Sequence, residues 1–97
     1  MNPEDGEGTP RELPIDGVLD LHTFRPADVK AVVLAYMEAC EEAGIRDLRI
    51  IHGKGMGVLR QQVHALLERH QSVQSYSIAP ANAGGWGATV VRLKPLS

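Results

Sequence analysis

Ninety-seven residues are enough for one domain and few for two. A hydrophobic share of 43% and a charged share of 23% suit a globular chain with one modest core, and the single cysteine, Cys40, excludes an internal disulfide and fits a reducing compartment. No apolar run approaches the length of a membrane span and the acidic start is unlike a signal peptide, so no membrane partner is expected and the expected location is cytoplasmic.

Residues 1–20 hold six acidic side chains against one basic, whereas residues 21–97 hold nine basic against six acidic. The mildly basic body permits nucleic-acid binding without demanding it. Residues 1–13, rich in Gly, Pro and acid, read as a disordered leader that leaves 14–97 as the folded domain. Ile15 to His22 alternates as a first strand. Period two puts Asp20 and His22 on one face and Leu19 and Leu21 on the other. Thr23-Phe24-Arg25-Pro26 then opens a helix, with proline suited to its first position. Val29, Val32, Val33, Tyr36, Met37 and Cys40 form its apolar stripe, and Gly44 ends it.

Asp47 to Ile51 is the second strand, and it runs into His52-Gly53-Lys54-Gly55-Met56-Gly57. Beyond the glycines a second helix turns Leu59, Val63, Leu66, Leu67 and His70 toward the core, with Arg60 and His64 on its surface face. Val73 to Ala79 alternates as a third strand, with Val73 and Tyr76 on opposite faces. Pro80 to Gly87 is a loop and Ala88 to Leu93 the last strand. The order is βαβαββ. Helical crossovers make the first three strands parallel, and the last loop permits an antiparallel return. The expected fold is an α/β two-layer sandwich, a four-stranded mixed sheet with both helices on one face.

Glycine lets backbone amides approach a ligand, and the start of the following helix adds unpaired N–H groups with partial positive charge. The loop Gly53, Lys54, Gly55, Gly57 thus suits an anion such as phosphate, and Lys54 adds a full charge. It is neither a Walker loop nor a dinucleotide fingerprint, because Lys54 precedes Gly55 and the glycine spacing is G-x-G-x-G. Ligands of such sheets bind beyond the carboxyl ends of parallel strands. If the first two strands are neighbours, Asp20, His22, His52 and the loop meet on one rim, and Gly84-Gly85-Trp86-Gly87 comes up beside them. Trp86 can stack on a base there or cover the sheet end as a hydrophobic lid. Asp20 can orient His22 as a general base, the two can bind a divalent metal, or they can simply hydrogen-bond at a strand end.

Leu19-Asp20-Leu21-His22, followed some thirty residues later by His52-Gly53-Lys54-Gly55-Met56-Gly57, resembles the two signatures of the Smr (small MutS-related) domain, L-D-L-H-G and H-G-x-G-x-G. The likeness runs over roughly residues 15–95, and Gly84-Gly85-Trp86-Gly87 before Thr89-Val90-Val91 also suits the family. The second signature is complete; in the first, Thr23 stands where the family has glycine, a side chain that could narrow access to His22 or offer a hydroxyl to phosphate. Smr domains occur at the end of a bacterial MutS paralogue and alone in small bacterial chains, of which this is expected to be one, acting as a monomer. Their fold is similar to the C-terminal domain of a translation initiation factor. Several cut DNA or RNA, and some act on messenger RNA at stalled ribosomes, which makes DNA, RNA and the ribosome the implied partners. The resemblance implies an endonuclease in which Asp20, His22 and His52 carry catalysis, with a divalent metal (Mg or Mn) as the one cofactor it leaves room for. Gly53, Lys54, Gly55, Gly57, Arg60 and Trp86 would grip the nucleic acid. The alternative is a module that binds nucleic acid or a ribosome-associated partner without cutting, and a third is a small-molecule anion site.

Overall fold

The computed structural model describes residues 15–55 and 57–95. The leader read in residues 1–13 lies outside the described residues. The chain runs β1 (Val18–Asp20), α1 (Val29–Glu42), β2 (Asp47–Ile51), α2 (Val58–Arg69), β3 (Val73–Ile78) and β4 (Ala88–Leu93). The four strands form one sheet in the order β1-β2-β4-β3. β1 and β2 pair parallel, while β4 is antiparallel to both β2 and β3. The first three strands therefore share a direction, as the crossovers demand, and the last returns between the second and third. That insertion is what brings the loop before β4 onto the rim where β1 and β2 end.

The helices cover one face. Leu19, Leu48, Ile50, Val91 and Leu93 of the sheet are buried in a single cluster with Val29, Val33, Tyr36, Met37 and Cys40 of α1 and Val63 and Leu67 of α2. Leu59 and Leu66 pack on this cluster partly buried, and His70 stops α2, its Nδ1 accepting the Ser72 amide at 3.1 Å. α1 ends where glycine is needed. Gly44 takes φ +78°, its N–H donates to the Glu41 carbonyl, and the Ile45 N–H donates to the Cys40 carbonyl at 2.8 Å. These two bonds close a Schellman motif and satisfy carbonyls that the last turn would orphan.

Three local readings change. β1 is shorter than the Ile15–His22 alternation, because pairing with β2 registers only Val18 to Asp20. Pro26 opens a single 3₁₀ turn, Pro26–Asp28, before α1 begins at Val29. In β3 a register irregularity between Val73 and Ser75 breaks strict alternation, so Val73 joins Tyr76 against the core instead of facing away. The loop before β4 also carries two short 3₁₀ turns, Ala81–Ala83 and Gly85–Gly87.

Tyr36 ties α1 to the start of β1. Its ring is fully buried, its oxygen accepts the Gly17 N–H at 2.9 Å, and its hydroxyl donates to the Val18 carbonyl at 3.1 Å. Burial pushes the phenol up to about 12, so it stays a neutral donor. Tyr36→Phe keeps the ring and strands the Gly17 amide, so it should cost about 1–3 kcal/mol of stability in urea unfolding; a loss near zero would show that this bond does not anchor β1.

Candidate functional site

The rim is built where three strands change. Asp20 pairs with Ile51, and the Leu21 N–H donates to the Ile51 carbonyl at 2.9 Å, so β1 and β2 end side by side. The carbonyl of Gly87 then accepts two amides at once, from His52 and Gly53, each at 2.9 Å. This shared acceptor clasps the glycine loop to the turn that carries Trp86.

Period two delivers Asp20 and His22 outward. Leu19 and Leu21 are 1% and 0% exposed, whereas the side chains of Asp20 and His22 are 44% and 72% exposed. One oxygen of Asp20 accepts both the His22 main-chain N–H at 3.0 Å and the ring Nδ1–H at 2.7 Å. Burial alone would raise the Asp20 carboxyl, but the two hydrogen bonds from His22 and its charge outweigh this and hold it below the usual carboxylate value. With Nδ1 committed to Asp20, His22 presents Nε2 to solvent.

The loop is held open by glycine. Gly53, Gly55 and Gly57 all have positive φ, and Gly57, at φ +84°, is the N-cap of α2 with no side chain capping the helix. The first-turn amides of α2 are thus left without a side-chain acceptor and point at the rim. Gly57 also makes room for a cation: a Cβ there would lie 2.8 Å from the Arg60 guanidinium. Arg60 folds back over the loop, its guanidinium carbon 5.4 Å from the centre of the Trp86 ring. Lys54 runs along the other side, its Cγ 3.5 Å from where a Cβ on Gly87 would sit. Trp86 is 63% exposed and lies under the Arg60 guanidinium, so it does not cover the sheet end as a lid.

His52 is placed differently from His22. It continues the inward parity of Leu48 and Ile50 and is 6% exposed. Its Nδ1 bonds the Gly53 carbonyl at 3.0 Å and its Nε2 lies 2.8 Å from the Thr89 hydroxyl. It shares the rim with Asp20 and His22 but points beneath the loop, toward the helices. His64 meets it there. Read from the helix pattern as a surface residue, His64 places Nε2 2.7 Å from the same Thr89 oxygen and its ring 4.9 Å from Tyr76. Thr89 is fully buried. Only the burial of Thr89 had a signal in the sequence, since it falls in step with Val91 and Leu93; His64, on α2, had none.

Asp20 and His22 are two potential metal ligands, and among the described residues no group of three or more His, Cys, Asp or Glu side chains gathers around an ion site. A divalent ion there would fill its shell from water and phosphate oxygens. Among the described residues no helix is long and apolar enough to cross a membrane.

The Smr domain family model matches residues 19–94, from the first motif through the last strand. The chain belongs to the Smr family. Its fold matches the crystal structure of the Smr domain of Thermus thermophilus MutS2, with a TM-score of 0.76 at 38% identity over 80% of this chain and 98% of that one. YdaL, a stand-alone small MutS-related protein from Escherichia coli, superposes with a TM-score of 0.77 at 29% identity, over 84% of this chain and 66% of that one. Over 76 residues, 78% of the chain, it is 45% identical to Endonuclease MutS2 of Enterococcus faecalis. The match spans only about a tenth of the length of that relative.

Against the Smr signature, Thr23 replaces glycine without backbone strain, since among the described residues no non-glycine residue has positive φ. Thr23 is exposed beside His22, where the Phe24 N–H closes a turn onto the Leu21 carbonyl at 3.0 Å.

Burial first, then the neighbouring His52 ring and the Arg60 guanidinium, lowers the imidazole of His64 from its ordinary 6.5; Tyr76 and, through it, Glu68 complete its surroundings. The folded chain therefore binds fewer protons than the unfolded chain in this window, and the stabilisation is complete above 6.5 and lost as pH falls through the lower folded value. The thermal midpoint should drop between about pH 7.5 and about pH 5, and drop less in His64→Gln. Equal slopes in the two proteins would remove His64 as the source.

Proposed function

We propose that this Smr domain is an endonuclease that binds nucleic acid and hydrolyses its phosphodiester bonds. The observation that carries this reading is the exposed Asp20–His22 pair on the same rim as an amide-rich glycine loop flanked by Lys54, Arg60 and Trp86. The name Endonuclease MutS2, borne by relatives of this region, supports it.

In this mechanism His22 Nε2 takes the proton of the attacking oxygen or hands one to the leaving oxygen. Asp20 fixes the tautomer through Nδ1–H and stabilises the imidazolium that forms. Loop amides and Lys54 face the non-bridging phosphate oxygens, where charge builds in the transition state. Arg60 contributes a second cation, and the exposed Trp86 face offers a stacking platform for an unpaired base. A divalent ion at Asp20 and His22 would add charge at the phosphate; no step above needs it. His52, beneath the loop, acts through loop shape and does not touch the scissile bond.

His22→Ala and Asp20→Asn should lower cleavage of labelled single-stranded RNA, single-stranded DNA or supercoiled DNA by at least about 100-fold while leaving most of the binding. Retained cleavage would take the pair out of the mechanism. Loss of cutting from the wild type, with salt-sensitive binding kept, would instead favour a binding module that uses Lys54, Arg60 and Trp86 and does not need His22.

Lys54→Ala should weaken binding to all sequences alike and flatten its salt dependence by about one charge. A changed sequence preference would contradict a phosphate contact. Trp86→Ala should weaken single strands by about 1–3 kcal/mol and duplexes less; an equal loss on both would argue against stacking. Gly55, at φ +28° with open space around it, should tolerate a side chain sterically but not conformationally, so Gly55→Val should impair binding through the backbone. Normal binding in that variant would remove the loop as the phosphate cradle.

A further inference from the structure

The buried contacts beneath the loop have a direction. A carbonyl only accepts, so the His52 Nδ1 that lies 3.0 Å from the Gly53 oxygen carries a proton. Neutral His52 then offers a lone pair at Nε2, and the Thr89 hydroxyl, 2.8 Å away, donates to it. Its proton committed, the Thr89 oxygen accepts from His64 Nε2 at 2.7 Å. The bonds run one way, from His64 through Thr89 and His52 to the Gly53 carbonyl. Thr89 is fully buried, and the His52 and His64 rings meet edge to face at 6.2 Å, so the chain is enclosed where hydrogen bonds are strong.

We propose that His64 and Thr89 are positioning residues for the anion loop: acting through His52, they hold the Gly53–Lys54 peptide with its carbonyl inward and the Lys54 amide toward the phosphate. A trans peptide places C=O and N–H on opposite sides, so fixing one aims the other. The same loop is pinned from the opposite edge by the Gly87 carbonyl, which takes the His52 and Gly53 amides. Successive peptides of the loop are thus held before any ligand arrives, which spares ordering cost on binding. This role rests on the phosphate reading of the loop given above.

Two-bond 1H–15N spectra of the imidazoles in the ligand-free protein test the relay directly. His52 should be the Nδ1–H tautomer and His64 the Nε2–H tautomer. Thr89→Val, which keeps shape and removes the hydroxyl, should mix the His52 tautomers, shift the Lys54 and Gly55 amides, and weaken a labelled single-stranded oligonucleotide about 3- to 10-fold. Thr89→Ser should restore all three. If Thr89→Val unfolds, His64→Leu, at a less buried position, should shift the same amides. His52 found as Nε2–H, or a Thr89→Val or His64→Leu protein with unchanged His52 tautomer and Lys54 amide, overturns the proposal. An oligonucleotide that fails to bind the wild type refutes the phosphate reading, while the tautomers and amide shifts, read without ligand, still decide the relay.

Discussion

One carbonyl joins the parts of this rim. Gly87 ends the turn that carries Trp86, and its oxygen takes the amides of His52 and Gly53. Without those two hydrogen bonds, the glycine loop and the turn that carries Trp86 would be joined only through the β2–β4 ladder. With it, Lys54, Arg60 and Trp86 surround a single strip of exposed backbone. The clasp exists because β4 lies between β2 and β3, so the start of an antiparallel strand falls at the end of a parallel one.

The sheet sorts the histidines of the rim by parity. His22 continues the outward row of Asp20 and is exposed; His52 continues the inward row of Leu48 and Ile50 and is buried. The same residue type on neighbouring strands thus meets two different surroundings. The exposed imidazole is anchored at one nitrogen, whereas the buried one is bonded at both. Lone glycines do the remaining shaping. Gly57 begins α2 in a left-handed conformation and leaves space that the Arg60 guanidinium fills, so a loop residue and a helix residue become one surface.

Membership in the Smr family places this chain beside the Smr domain of a MutS2 protein and beside a stand-alone member. What it shares with them is the fold. Thr23 is the departure within the first motif. It sits in ordinary backbone next to His22, with its side chain exposed at the rim.

Much of this was legible in the residues. Alternation at Leu19-Asp20-Leu21-His22, the stripe from Val29 to Cys40, Gly44 as a stop and the glycine run after Ile51 are local patterns, and local physics dictates what they form. They were enough to bring Asp20, His22, the loop, Arg60 and Trp86 to one end of the sheet. Strand order was not local, because nothing in β4 itself says which neighbours it pairs with; that followed from burying one apolar face under two helices. The Val73–Ser75 irregularity was hidden for the same reason, since it is a property of pairing with β4. The roles of His52, His64 and Thr89 were decided last, by tertiary structure alone. Three residues far apart in the chain meet only when β2, α2 and β4 pack together, and a buried hydroxyl between two imidazoles leaves no trace in sequence spacing.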